Sequence, residues 1–139
     1  MPKDKRGGKS LKNDPYNEYD VIGHANNGTI KVLKVKDGVK NAGVPMFSNR
    51  KNTVYMIAND DNKVDTIGIY RNRTLVCNID IKDTDKGYHF HLWRKMPESK
   101  QKPKNKGKYQ LEKYGHYTRL KPAYIKLINM AEDWDKRGS

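Results

Sequence analysis

The side chains best suited to proton transfer in this chain are its histidines, and two of the four alternate within one short segment, Tyr88–Trp93. The apolar and aromatic residues of this segment predict a β-strand, in which alternate side chains point to opposite faces. His89 and His91 then share a face with Trp93. An imidazole titrates near neutral pH and can act as general base or general acid. Simple surface exposure of the pair is the alternative interpretation.

A third histidine, His116, lies in a segment that combines several reactive groups. A phenol, a hydroxyl and a guanidinium follow it within three residues. Cleavage of RNA through the ribose 2′-hydroxyl needs a base, an acid and a cation that stabilises the phosphorane, and it needs no metal ion. The predicted catalytic residues are therefore His89, His91, His116, Tyr117, Thr118 and Arg119. We expect the three histidines to converge on one pocket with Arg119 close by, because a returning chain can bring this segment to the open face of the sheet. Alternatively, residues 115–119 only lead into the final helix.

A metal site is a weaker interpretation of the same residues. His89 and His91 could bind zinc together with His116 and Asp80. No cysteine cluster and no HExxH motif supports this, and we predict no metal ion and no cofactor. The single cysteine, Cys77, excludes an internal disulfide, and its strand position predicts a buried, unreactive thiol.

Strand periodicity in Thr74–Ile81 indicates which residues accompany the histidines. One face is predicted to carry the apolar set Leu75, Cys77, Ile79 and Ile81, and the other to carry Thr74, Val76, Asn78 and Asp80. If the apolar faces share a core, Asn78 and Asp80 lie on the open face with the histidines. We expect Asn78 and Trp93 to contact substrate there.

The charge of the chain points to a polyanionic partner. Lysine and arginine total 29 against 16 acidic residues, which gives a net charge of +13, and the isoelectric point is near 9.7. Such a field attracts polyanions and speeds their encounter, so the partner could be RNA, DNA, an anionic membrane or an acidic protein. Residues 1–13 form a basic tail, and residues 96–110 are predicted to form a mobile basic loop. The lysines expected to bind substrate are Lys95, Lys100, Lys102, Lys104, Lys106 and Lys108.

The apolar residues predict one α+β domain over residues 14–136. Five β-rich runs, at 29–36, 53–58, 64–70, 74–81 and 88–93, suggest an antiparallel meander. A stripe of apolar residues after Pro122 predicts an amphipathic helix: Tyr124, Leu127, Ile128, Ala131 and Trp134. Asp14-Pro15 is a candidate start of a short helix through Tyr19–Ile22, although that stretch could equally be extended. The expected fold is a twisted antiparallel sheet of about four to six strands with helices on one face.

The arrangement of these segments resembles a family of small toxin nucleases. The phrases NEYDVIGHANNGTI, FSNRKNTVYMIANDDNKVDTIGIY, YHFHLW and HYTRLKPAYIKLINMAEDW are similar to the barnase–EndoU–colicin–RelE group, in particular to versions at the C-termini of phage head-morphogenesis and other polymorphic toxin proteins. The resemblance spans roughly residues 19–134. It implies a twisted antiparallel sheet with packed helices, metal-independent RNA cleavage and a cognate immunity protein. By position it implicates His89 or His91, His116 and Arg119.

We therefore expect a metal-independent endoribonuclease that leaves 2′,3′-cyclic phosphate ends, acting on tRNA or another structured RNA in the cytoplasm of a target or host cell. We expect a monomer, and the expected route of delivery is as part of a longer phage or secreted protein. No apolar run approaches the ~20 residues of a membrane span. The competing hypothesis is a non-catalytic nucleic-acid-binding module, such as a phage accessory protein, and a third is an inhibitor that binds an acidic or nucleoprotein host target.

Overall fold

The computed structural model describes residues 18–39, 44–48, 50–81, 88–100 and 111–138. They form an α+β fold with one seven-stranded sheet and one C-terminal helix, so the predicted fold class is confirmed and the strand number of four to six is too low. The strands are β1 (Tyr19–Ala25), β2 (Ile30–Val35), β3 (Asn52–Ala58), β4 (Val64–Arg71), β5 (Thr74–Asp80), β6 (His89–Lys95) and β7 (Leu111–Tyr117), and the helix is α1 (Pro122–Gly138).

The strands lie side by side in the order in which they occur in the chain. Five of the six neighbouring pairs are antiparallel, but β2 and β3 are parallel. The prediction of an uninterrupted antiparallel meander is therefore wrong at this step. A parallel neighbour cannot be joined by a tight turn, and residues 36–51 supply the longer connection that the geometry requires.

Two of the seven strands lie outside the predicted runs. Tyr19–Ala25 is a strand, so the extended alternative for Tyr19–Ile22 is confirmed and the short helix is wrong there; pairing with β2 explains the extended conformation. β7 occupies Leu111–Tyr117, where the polar composition did not predict a strand, because pairing with β6 organises it. Of the predicted basic loop, Glu98–Lys100 form a short 3-10 helix. Residues 101–110 and the tail at 1–13 lie outside the described residues.

The helix packs on one face of the sheet as its apolar stripe predicts. Ile128, Ala131 and Trp134 are buried against β-strand residues such as Met56 and Ile79. Tyr124 and Leu127 pack at the margin of this first core. Polar contacts also attach the helix, since the backbone N–H of Val64 donates to Asp135 at 2.9 Å and the Tyr88 hydroxyl donates to Glu132 at 2.6 Å. No helix in the described part of the chain is long and apolar enough to span a membrane.

The opposite face of the sheet carries a second core rich in aromatic residues. Tyr55, Tyr70 and Trp93 are buried there together with Leu33 and Leu75. Residues 44–48 cover part of this face: Met46 and Phe47 are buried in the second core, the Met46 carbonyl accepts from the N–H of Leu75, and the Pro45 carbonyl accepts from the Tyr70 hydroxyl at 2.5 Å. Both faces of the sheet therefore bury apolar residues.

A bulge in β5 divides its apolar residues between the two cores. The pairing with β4 shifts between Tyr70–Leu75 and Ile69–Cys77, so Val76 is an extra residue. A bulge of this kind reverses the alternation of side chains beyond it. Leu75 consequently lies in the second core and Val76 packs on the first, which corrects the predicted face of both. Cys77 and Ile79 lie in the helix-covered core as predicted, and burial raises the pKa of the Cys77 thiol.

Truncation of the helix stripe tests its role in stability. Ile128 is 3% exposed, and removing a buried Ile side chain costs about 2–5 kcal/mol. We expect Ile128→Ala to lower Tm by about 5 °C or more, as measured by thermal unfolding followed by circular dichroism. Lys126→Ala on the exposed side of α1 is the matched control. Equal effects of the two substitutions would contradict the packing of this helix on the sheet.

Candidate functional site

The candidate site is a row of polar side chains that crosses three neighbouring strands. In the register of the sheet, Asn78 of β5 pairs with His91 of β6, and His91 pairs with His116 of β7. Asp80 pairs with His89 one step further along β5 and β6. Directly paired residues project to the same face of an antiparallel sheet, so the register alone brings all five residues to one face.

The three imidazole rings are in mutual contact. The ring centroids of His89 and His91 are 5.0 Å apart, those of His89 and His116 are 4.8 Å apart, and those of His91 and His116 are 4.9 Å apart. One nitrogen from each ring lies within 4.8 Å of the others. His116 is exposed, whereas the side chains of His89 and His91 are only 14% and 12% exposed. The convergence expected for these histidines is observed, and they lie on the face opposite α1.

The Asp80 carboxylate connects the histidines to the interior of the sheet. Its Oδ2 atom lies 3.1 Å from Nε2 of His89 and 3.3 Å from Nδ1 of His91. Its Oδ1 atom accepts hydrogen bonds from Thr66 at 3.0 Å and from Asn78 at 3.1 Å. These two donors hold the carboxylate in place, and the carboxylate in turn orients the imidazoles.

Two buried side chains, Asn78 and Trp93, form a chain of hydrogen bonds that ends at the Asp80 carboxylate. Both side chains are buried, with 5% and 4% exposure, and the indole N–H of Trp93 donates to Asn78 at 2.7 Å. Their polar atoms are thus engaged with one another and with Asp80. The geometry favours a positioning role for both residues in place of the substrate contact that strand periodicity suggested.

Lys113 is a cation beside the histidines, and the periodicity of the sequence did not predict this position. In a regular strand it would face away from His116, which is three residues further on, but the β6–β7 pairing shifts so that Lys113 opposes Trp93 and Gly115 opposes Leu92. The bulge turns Lys113 to the histidine face, where its Nζ atom lies 5.6 Å from the centre of the Trp93 indole.

The surroundings of His91 favour its neutral form. Burial lowers the pKa of His91, the positive charge of Lys113 lowers it further, and the Asp80 carboxylate opposes both effects. A neutral imidazole carries the lone pair that a general base or a metal ligand requires.

Three of the predicted catalytic residues are not part of this cluster. Tyr117 lies on the helix-covered face, where its ring stacks on Phe90 at 5.2 Å, because it is adjacent to His116 in the strand and alternates with it. Thr118 and Arg119 are exposed between β7 and α1. Among the described residues, Arg119 makes no hydrogen bond or ion pair.

The predicted substrate-binding lysines differ in position. Lys95 is exposed at the end of β6, on the strand that carries the histidine pair. The Nζ atom of Lys100 lies 3.6 Å from Glu112, which also accepts a hydrogen bond from Arg94 at 2.9 Å. The remaining members of the set, Lys102, Lys104, Lys106 and Lys108, lie outside the described residues.

Comparison with known proteins finds no matching family model, no matching curated protein and no matching solved structure.

The electrostatic coupling at this site can be measured one charge at a time. Because the positive charge of Lys113 disfavours protonation of His91, we expect Lys113→Gln to raise the pKa of His91. Removing the opposing negative charge with Asp80→Asn should lower that pKa. Imidazole titration by NMR in the presence of EDTA measures both shifts, with Lys126→Gln on the far side of the molecule as control. A lower pKa of His91 in Lys113→Gln, or a higher one in Asp80→Asn, would contradict the placement of Lys113 and Asp80 beside His91.

Proposed function

We propose that this protein is a metal-independent endoribonuclease that cleaves RNA through its 2′-hydroxyl group. The observation that carries the proposal is the convergence of His89, His91 and His116 on one open face of the sheet, beside Lys113. General acid–base catalysis needs two groups that titrate near neutral pH within hydrogen-bond reach of one phosphodiester. The cluster places three imidazoles close enough together to share these two roles.

The reaction assigns one proton transfer to each of two imidazoles. One neutral imidazole takes the proton of the 2′-hydroxyl, and the 2′-oxygen forms a bond to phosphorus. The bond from phosphorus to the 5′-oxygen breaks, and a second, protonated imidazole donates its proton to that oxygen. The products are a 2′,3′-cyclic phosphate and a 5′-hydroxyl.

The residues around the histidines suit the remaining requirements of this reaction. The Lys113 ammonium can stabilise the negative charge that develops on the phosphate oxygens. The Asp80 carboxylate orients His89 and His91 and stabilises an imidazole that has accepted a proton. Asn78, Thr66 and Trp93 hold that carboxylate in place.

The charge and the open geometry favour a polymeric substrate. The net charge of +13 attracts a polyanion, and His116 and Lys113 are exposed on the sheet surface. We infer a single-stranded or looped segment of tRNA or another structured RNA as substrate, met in the cytoplasm of the target or host cell. The membership of the barnase–EndoU–colicin–RelE group, delivery within a longer phage or secreted protein, and restraint by an immunity protein belong to the same hypothesis.

Incubation of the chain with total RNA and with tRNA in EDTA tests the proposal. We expect cleavage that EDTA does not suppress, with 2′,3′-cyclic phosphate ends identified by end-group analysis. Retention of RNA without cleavage would contradict the enzyme and support a nucleic-acid-binding module instead.

Substitution of the histidines separates catalysis from binding. His116→Ala and His91→Ala should each reduce the cleavage rate by about 10²–10⁴-fold, as is typical for loss of a general acid or base, while RNA affinity measured by filter binding persists. His24→Ala is the matched control, because His24 lies on β1 at the other edge of the sheet. Wild-type rates in the His116 and His91 variants would exclude this cluster as the active site.

A further inference from the structure

The same three histidines have a second chemical capacity, which is to bind a metal ion. One ring nitrogen from each of His89, His91 and His116 lies within 4.8 Å of the other two. In a tetrahedral zinc site with Zn–N bonds of 2.0–2.1 Å, donor nitrogens are about 3.3 Å apart. Small side-chain rotations therefore bring the three donors to binding distance, with no change in the strands that carry them.

The hydrogen bonding of His89 supplies an independent argument for a ligand. Its Nε2 atom faces the Asp80 carboxylate at 3.1 Å, whereas its Nδ1 atom is buried without a hydrogen-bond partner among the described residues. A buried polar atom without a partner is costly. Metal-bound histidines characteristically donate their second ring nitrogen to a carboxylate, which leaves the other nitrogen for the metal. His89 and Asp80 have this arrangement.

We propose that His89, His91 and His116 bind one divalent transition-metal ion of the zinc type, with the Asp80 carboxylate behind the ligands. The carboxylate offsets part of the positive charge that an ion adds beside Lys113. Three protein ligands leave a fourth position open to water or to a phosphate oxygen.

Bound metal has a regulatory consequence that rests on the proposed function. The lone pairs that coordinate the ion are those that a general base uses, so histidines that hold the ion cannot carry out the proton transfers of the proposed mechanism. Zinc is thus expected to inhibit RNA cleavage, and removal of zinc by EDTA is expected to restore it.

Zinc binding is measured directly, without reference to activity. The full chain is treated with EDTA, desalted and titrated with ZnCl₂ in competition with a chromophoric chelator. We expect one zinc per chain, with affinity reduced by about 10–100-fold in Asp80→Asn and by at least as much in His116→Ala. His24→Ala should bind as the wild type does. The exposure of His116 makes its removal compatible with folding, which circular dichroism verifies.

Absence of stoichiometric binding would overturn the metal site, as would wild-type affinity in His116→Ala. The cleavage assay then distinguishes this failure from failure of the proposed function. Cleavage in EDTA without zinc binding would sustain the ribonuclease alone. Zinc binding without cleavage in EDTA, or with cleavage only after zinc is added, would sustain the metal site and overturn metal-independent catalysis.

Discussion

The pairing between β6 and β7 is the constraint on which the candidate site depends. It places His116 opposite His91, and the bulge that follows brings Lys113 to the same face. A shift of the register by one residue would move His116 to the helix-covered face, because side chains alternate along a strand. The backbone hydrogen bonds between β6 and β7 therefore determine whether His116 and Lys113 lie beside the histidines of β6.

The Asp80 carboxylate contacts His89 and His91 and thereby fixes the arrangement of the site. A carboxylate near the interior of a sheet needs hydrogen-bond donors, and Thr66 and Asn78 provide them. Asn78 is in turn bonded to the buried indole of Trp93. Polar networks of this kind are stable only when each member finds its partners. The network therefore couples the geometry of the histidines to the packing of the second core.

The two faces of the sheet perform different tasks. Helix α1 covers one face with an apolar stripe, and residues 44–48 cover part of the other. The histidine row occupies the end of this second face over β5–β7, where His116 remains exposed. Imidazoles on such a surface can either transfer protons or coordinate a metal ion. Binding of a metal ion to the three histidines would thus compete with proton transfer by the same rings.

Local patterns in the sequence were sufficient to predict those strands and helices whose periodicity can be recognised within a few residues. The alternation of His89, Phe90 and His91 identified the faces of β6, and the apolar spacing after Pro122 identified α1, because both periodicities follow from backbone geometry alone. Five of the seven strands were predicted for the same reason. The convergence of the histidine pair with His116 followed from these elements once the chain was assumed to return to the sheet.

The features that arise from the pairing of two strands became evident only in the tertiary structure. The polar segment Leu111–Tyr117 is a strand because β6 pairs with it, and the parallel pairing of β2 with β3 is likewise a property of two strands together. The two bulges reversed the faces of Leu75 and Lys113, and a bulge arises from the mismatch between two strands, which neither strand encodes by itself. For the same reason the burial of Asn78 and Trp93, and with it their role behind Asp80, became evident only from the assembled sheet.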